Sequence, residues 1–397
     1  MSEIFENPVP LSTDTTSPDA LTGAGSRASA CRSRRKVTKN ADLKLKVALL
    51  MFAEPYPASR EIADQLSREH PGLDFRAVIA LFREAIKEEL VKGLIMRPFP
   101  EQERVRMELE LVRRYPCLRY VKLVPGSPDI ARDLEPEARQ RLHRDTIFDL
   151  FPAAADLIDD FLVQRDRMHR GIAKRTGTMP VTTVGVTWGK TLYLLAKFLG
   201  STRRPPLRTP IEFLPVIGQS LHPHEVGLEA DHIAMSLAET FGGKARQLPC
   251  EAFPRNAEAI ALRRSEAVAA MLAKVRDVDL VVSSVGGVGV GGVEDLKLSL
   301  DPRVNAELID SDPHRRASGR LGLWFWDRNG NELRLKTRQA IGIGLDGLRR
   351  VAANENKMSL IVTGGDRLRF DSIRGALAGG LASHLVTDTV TGEALLA

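Results

Sequence analysis

The sequence predicts an α/β protein in which an N-terminal winged helix-turn-helix precedes a Rossmann-like parallel sheet. Three observations predict this. Residues 43–96 carry three short helical periodicities closed by an apolar, strand-like triplet. From residue 181 onward, continuous apolar runs alternate with helical stretches, the pattern of a parallel sheet covered on both faces. Glycine clusters follow several of those runs, where an open parallel sheet holds its ligands. A chain of 397 residues with 43% apolar content has room for two or three domains and a well-buried core.

Residues 1–40 are rich in Ser, Thr, Pro and Gly with few large apolar side chains, so a disordered arm is expected there. A winged helix-turn-helix is expected over 41–98. Leu45, Ala48, Leu49 and Phe52 repeat at helical spacing until Pro55 and Pro57 stop the run. Ser59 is placed to cap a second helix, Arg60–Glu69, with Ile62, Ala63 and Leu66 inward, and Pro71-Gly72 breaks it. A third helix from near Asp74 aligns Phe75, Val78, Ile79, Phe82 and Ile86. At about 100° per residue, Arg76, Arg83 and Lys87 share the stripe beside that face. Leu94–Met96 reads as the wing strand. In this arrangement the third helix enters a DNA groove; the alternative is a helical dimerisation module with a solvated basic stripe.

The net charge of +6 is concentrated. Eight bases between Arg27 and Lys46 face one acid, Asp42, so the segment carries +7 and the rest of the chain −1. A basic arm beside a small helical module points to phosphate backbones, against the alternative of a solvated tail with no partner.

The second half reads element by element. Glu101–Tyr115 is a charged helix anchored by Val105, Leu109 and Val112, expected as a linker over 99–120. An α/β domain is expected over 121–397. Tyr120–Val124 is a strand and Ala153–Arg175 a long amphipathic helix. Strands follow at Val181–Thr187, Ile211–Val216, Leu280–Val285, Ser359–Thr363 and His384–Thr387. Helices intervene at Thr191–Leu199, Asp231–Phe241, Arg263–Arg276 and Asp371–Ala378.

Val184–Thr191 looks like a nucleotide P-loop, but Gly185 and Gly189 enclose three residues where that loop needs four. It is too short to wrap two phosphates. The amides of Gly189 to Thr191, the Thr191 hydroxyl and a helix N-terminus suit one phosphate, or the segment is a plain strand-to-helix turn. Gly287–Gly292 spells GxGxxG, but the segment after it is too short for a dinucleotide helix, so a glycine-rich loop at a pocket mouth is expected. Gly364-Gly365, with Arg367 and Arg369 behind it, is a second convergence of amides and cations. His222, His224 and His232 lack the cysteine or carboxylates that would complete a metal set.

Taken together, the chain resembles the SorC family of bacterial sugar-responsive transcriptional regulators from about Leu43 to Ala397. Lys46–Leu50, Glu61–Leu66 and Arg76–Ile95 look like its DNA-binding domain, and Val184–Thr191 like its WGxT effector loop. Leu237-Ala238, Gly242-Gly243 and Leu248-Pro249 follow in order, then Trp324–Gly330 and Ile341–Leu348. The most specific run is Gly364-Gly365, Ala376–Gly380 and Leu385–Asp388. The resemblance implies a sugar-phosphate-binding domain related to ribose-phosphate isomerases and glucosamine-phosphate deaminases, commonly assembled as a tetramer. It places Gly189, Lys190 and Thr191 on the phosphate, Gly364 and Gly365 at the pocket border and Asp388 at the sugar end. Gln219, Ser284, Gly286 and Arg369 complete the candidate effector set, and Ser59 and Arg60 join Arg76, Arg83 and Lys87 on DNA. Arg369 stands near where the family usually has a lysine, and Arg320 where it usually has an acid.

The expected function is a DNA-binding regulator, a homodimer or homotetramer, whose operator affinity follows a phosphorylated sugar or polyol. The alternative is an isomerase- or deaminase-like enzyme. That chemistry needs a positioned general base, and after Leu280–Val282 come Ser283, Ser284 and glycines, with no acid before Glu294. No cofactor or metal is expected. Neither a membrane span nor a signal peptide is expected, and Cys31, Cys117 and Cys250, odd in number and far apart, suit a reducing cytoplasm.

Overall fold

The computed structural model describes residues 43–44, 46–47, 50, 59–74, 77–78, 80–81, 84, 101–219, 228–288, 308 and 316–397. The chain divides into two compact units, 1–98 and 99–397. In the first, α1 (Ser59–Leu66) begins at the expected serine. Ile62, Ala63 and Leu66 pack with Val47 and Val78 into one small core, flanked by Leu43, Leu50, Leu73 and Leu81. Asp74 Oδ1 accepts the Ala77 amide at 2.7 Å, the N-cap bond that starts the third helix where the sequence places it. Two bases of the +7 segment are engaged within this unit. Lys44 pairs with Glu84 at 2.8 Å and Lys46 with Glu69 at 2.5 Å. Residues 1–40, Arg76, Arg83, Lys87 and the wing triplet lie outside the described residues.

The second unit is a doubly wound α/β sheet with an antiparallel appendage. It opens with α2 (Glu101–Arg114), β1 (Tyr120–Val124) and the 41-residue α3 (Pro136–Thr176). The expected linker helix is thus part of this unit. Met107, Leu111 and Tyr115 enter its core and Val112 packs against it. The expected anchors Val105 and Leu109 are 42% and 53% exposed instead. The long helix also begins 17 positions before Ala153 and contains Pro152. A proline normally interrupts a helix interior. Here buried Leu150, Phe151, Ala154 and Ala155 clamp both sides of Pro152 to one core, so tertiary packing overrides the local rule.

Next come β2 (Thr182–Val186), α4 (Lys190–Ser201), β3 (Ile211–Pro215), α5 (Ala230–Phe241) and β4 (Lys244–Ala245). The expected helix Arg263–Arg276 is two, α6 (Asn256–Arg264) and α7 (Glu266–Arg276), because the Ser265 hydroxyl accepts the Val268 amide and caps the second. Then β5 (Leu280–Ser283) leads into β6 (Gly286–Gly287), which with β7 (Gly319–Leu321), β8 (Trp324–Trp326) and β9 (Glu332–Leu333) forms an antiparallel four-stranded sheet. The chain closes with α8 (Gly344–Ala353), β10 (Met358–Val362), α9 (Phe370–Ala378), β11 (His384–Asp388) and α10 (Thr389–Leu396).

The main sheet has seven parallel strands in the order β1-β11-β10-β5-β2-β3-β4. Side-chain alternation splits it between two cores. Val184, Val186, Phe213, Leu280, Val282, Leu360 and Val362 pack beneath α3, α4 and α5. Leu214, Val281, Ile361 and Leu385 pack beneath α2, α7, α8 and α9. The winding reverses between β2 and β5. From β2 the chain runs outward through β3 to β4, then returns to place β5 on β2's other side. Connections at that point leave toward opposite faces, and a crevice opens at the strands' C-terminal ends.

His384 at the start of β11 is held neutral. Burial, with the Arg119 charge nearby, pushes its pKa down to about 4. A histidine with a depressed folded pKa contributes stability that is present above its unfolded value of 6.5 and is lost as pH falls from there toward 4. Calorimetry of the full chain should therefore show the transition of this unit falling in temperature across that window. His384→Gln should flatten the slope, by at most about 1.4 kcal/mol per pH unit.

Candidate functional site

At the winding reversal the turn Thr187–Gly189 leaves β2 and the turn Ser284-Val285 leaves β5. Gly189, at φ 119°, is the N-cap of α4. Its amide donates to the Leu228 carbonyl at 3.0 Å, so one of the three expected amides is already used. Lys190 and Thr191 are the first residues of α4, and amides there have no carbonyl one turn earlier to bond. The Lys190 side chain is exposed; Thr191 is a buried residue, but its hydroxyl is not among the sealed, orphaned atoms. Among the described residues neither has a hydrogen-bond or ion-pair partner. The half-buried Ser284 hydroxyl is likewise unpartnered among the described residues.

Two further hydroxyls are orphaned at the same sheet edge, Thr187 Oγ1 and Thr387 Oγ1, both in residues no more than 1% exposed. A buried polar atom without a partner costs about 1–3 kcal/mol. Thr187 lies on the turn that leads to Lys190 and Thr191, and Thr387 lies two strands beyond β5, beside Gly364.

Across the crevice, β10 runs into Thr363-Gly364-Gly365 and β11 into Asp388. Asp388, expected at the sugar end, has its carboxylate bonded within the protein. It is fully buried, and both carboxylate oxygens are occupied. Oδ1 accepts the Thr391 amide at 2.8 Å, while Oδ2 accepts the Gly365 amide at 2.8 Å and the Thr391 hydroxyl at 2.7 Å. Burial raises its pKa, opposed by those hydrogen bonds. Its role is to cap α10 and hold the glycine loop. The two glycines are steric requirements. At Gly364 (φ 156°) a Cβ would collide with Asp388 Oδ2, and at Gly365 (φ 71°) it would lie 2.7 Å from Thr146 Cβ on α3.

Arg369, in the turn after the glycines, donates to the Val285 carbonyl at 2.9 Å and lies 3.8 Å from Asp366. Gly286 faces Arg320 in the β6–β7 register, and a Cβ there would sit 3.1 Å from the Arg320 guanidinium carbon. The two guanidinium groups thus flank the Val285-Gly286 turn. Gln219 lies one strand over, beyond the end of β3, and its side-chain amide donates to Asp231 at 2.8 Å. The structure therefore brings Gly189, Lys190, Thr191, Ser284, Gly286, Gly364, Gly365 and Arg369 to one edge. It places Asp388 behind them and commits the Gln219 amide elsewhere.

His143, on the N-terminal half of α3, has no counterpart in the sequence-based set. Its Nδ1 lies 2.9 Å from the Gly364 carbonyl oxygen. Burial, then the charges of Arg369 and Lys190, push its pKa down to about 3. Thr187 lies inside the Val184–Thr191 loop, but nothing in a linear pattern shows that its hydroxyl is unpartnered. A cavity of about 680 Å³ lies elsewhere, between α7, α8 and the β8–β9 hairpin, and includes none of these groups. Among the described residues no cluster of His, Cys, Asp or Glu suits a metal, and His222 and His224 lie outside them.

A model of the family described as "Putative sugar-binding domain" matches residues 166–397. The chain belongs to this family. The match starts within α3 and takes in every strand end around the crevice. Among curated proteins, the chain is similar to the "Deoxyribonucleoside regulator" of Bacillus subtilis (strain 168), 24% identical over 363 residues, covering 89% of this chain and 97% of the relative. Among solved structures, a transcriptional regulator from Streptococcus pneumoniae TIGR4 aligns with TM-score 0.56 at 19% identity, covering 75% of this chain and 97% of that one. The full-length sorbitol operon regulator SorC from Klebsiella pneumoniae aligns with TM-score 0.53 at 17% identity, over 90% of this chain and all of that one. The resemblance to SorC regulators drawn from the motifs is thus matched in fold.

Gly364→Ala should combine left-handed strain with a clash on Asp388, lowering stability by about 2–4 kcal/mol in denaturant unfolding. Asp388→Asn keeps the volume but loses acceptor capacity, and should reduce stability without an added clash. Equal stability of the alanine variant and the wild type would show that the loop does not depend on this contact.

Proposed function

We propose that the protein is a transcriptional regulator whose affinity for operator DNA is controlled by a phosphorylated sugar or polyol held at the β2–β5 crevice. One observation carries the ligand part of this reading. Lys190, the first amides of α4 and the unpartnered hydroxyls of Thr187, Thr191 and Ser284 lie where the sheet reverses its winding. A phosphate has the charge and acceptor count to satisfy such donors, and a polyhydroxylated body suits the remaining polar edge. The loop's capacity is one phosphate rather than two.

The DNA part rests on the three-helix pattern of 43–90, on the basic stripe Arg76, Arg83 and Lys87, and on relatives named as regulators that align along most of this chain. Binding rather than turnover is supported by Asp388. This strand-end carboxylate is committed to a helix cap and a loop amide, and is not available to move a substrate proton. We further propose a cytoplasmic homodimer or homotetramer, which light scattering of the purified chain would count.

The test is a thermal-shift screen with inorganic phosphate and with pentose, hexose and polyol phosphates. An effector at a hundred times its Kd should stabilise the protein by about 2.7 kcal/mol. Thr191→Val should abolish that shift and leave DNA affinity intact; an unchanged shift would remove the phosphate from this loop. With a genomic fragment selected by the protein itself, Arg76→Ala, Arg83→Ala and Lys87→Ala should weaken binding. Each lost phosphate contact should reduce the slope of log affinity against log salt by about one. Unchanged slopes in all three variants would contradict the DNA-reading assignment.

A further inference from the structure

One group in the crevice is chemically unlike its neighbours. Lys190, the α4 amides and Arg369 all donate. His143 stands among them as a neutral imidazole, and its two nitrogens have different tasks. A carbonyl oxygen can only accept, so the nitrogen 2.9 Å from the Gly364 carbonyl, Nδ1, carries the proton. In a neutral ring the other nitrogen, Nε2, then holds a lone pair. Among the described residues Nε2 has no hydrogen-bond partner, and it is not sealed in the interior with the orphaned buried atoms.

We propose that His143 Nε2 accepts a hydrogen bond from a neutral hydroxyl of the ligand, so that the site selects hydroxylated phosphates over bare phosphate and disfavours a ligand that puts an ammonium in that hydroxyl's place. The inference rests on the reading of the crevice as a phosphate site and adds what must sit beside the phosphate. Three classes of group compete for Nε2. A phosphate monoester dianion or a carboxylate offers no proton and its oxygens repel the lone pair; inorganic phosphate keeps one P–OH, but its anionic oxygens repel the lone pair in the same way. An ammonium offers protons but brings a positive charge next to Arg369 and Lys190, whose charges already act on this ring. A hydroxyl donates at no electrostatic cost. The remaining neighbours of the ring do not change this order, because Thr146 Oγ1 is committed to the Leu142 carbonyl and Asp388 to its three donors.

The deciding variant is His143→Asn in the full-length protein. The asparagine amide nitrogen takes the place of Nδ1 and keeps the bond to Gly364, while the acceptor at Nε2 disappears. Calorimetric titration would use three probes: inorganic phosphate, sorbitol 6-phosphate and glucosamine 6-phosphate. In the wild type sorbitol 6-phosphate should bind tightest. In His143→Asn its affinity should fall about tenfold, as expected for one lost hydrogen bond that leaves a ligand donor unmet. Affinity for inorganic phosphate should stay within twofold. Nitrogen-15 spectra of the free protein at pH 7 should show His143 with Nδ1 protonated and Nε2 bare, and sorbitol 6-phosphate should shift Nε2 while phosphate alone should not.

A protonated Nε2, an equal loss for phosphate and sorbitol 6-phosphate, or an unchanged affinity for sorbitol 6-phosphate would each overturn the assignment while leaving the phosphate site standing. Wild-type protein that binds none of the three probes would instead overturn the phosphate reading, and this inference with it.

Discussion

The site depends on one topological constraint, the reversal of winding between β2 and β5. In a parallel sheet every crossover must pass over a face, and each helix covers the strands it connects. Where the order turns back, adjacent connections diverge, and no helix closes the gap above the strand ends. β2 and β5 are hydrogen-bonded neighbours, yet the chain leaves one toward α4 and the other toward the β6–β7 ribbon. The turns at Trp188 and Val285 therefore face each other across an opening. Everything polar at the crevice inherits its position from that divergence.

The loops around the opening are stiffened by a buried acid used as a connector. Asp388 ties the end of β11 to the first turn of α10 and to the loop after β10. A buried carboxylate is tolerated only with its lone pairs met, and here the Thr391 amide and hydroxyl and the Gly365 amide meet them. Gly364 and Gly365 allow the backbone to come within reach of it and of Thr146. The cost of burying this acid is offset by a loop whose amides and carbonyls have set directions, one of which points the His143 ring. Donors prevail along the edge because the acid is consumed in holding it together.

The legible parts of the sequence are those whose signal is local or periodic. The strand cores of β2, β3, β5, β10 and β11 read directly because strands covered on both faces are continuous apolar runs. The start of the third helix near Asp74 read from its periodicity, and the structure adds the cap, Asp74 Oδ1 accepting the Ala77 amide. Two helix boundaries differ from the periodic pattern for different reasons: Pro152 is held inside a helix by the core around it, whereas Ser265 caps a new helix locally within an unbroken periodic pattern. The strands of two or three residues, β4 and β6 to β9, are too short to show alternation.

By itself the sequence determined the class of the fold and which loops carry glycine and cation at strand ends. It did so because burial periodicity and turn chemistry are written within a few residues. The tertiary structure decided which of those groups are still open. Whether Asp388 faces a ligand or a helix end, whether the Gly189 amide is spent on Leu228, and whether His143 stands beside Gly364 depend on partners 23, 39 and 221 positions away. Hydrogen-bond satisfaction is a property of neighbours in space, and the sequence order of those neighbours carries no trace of it.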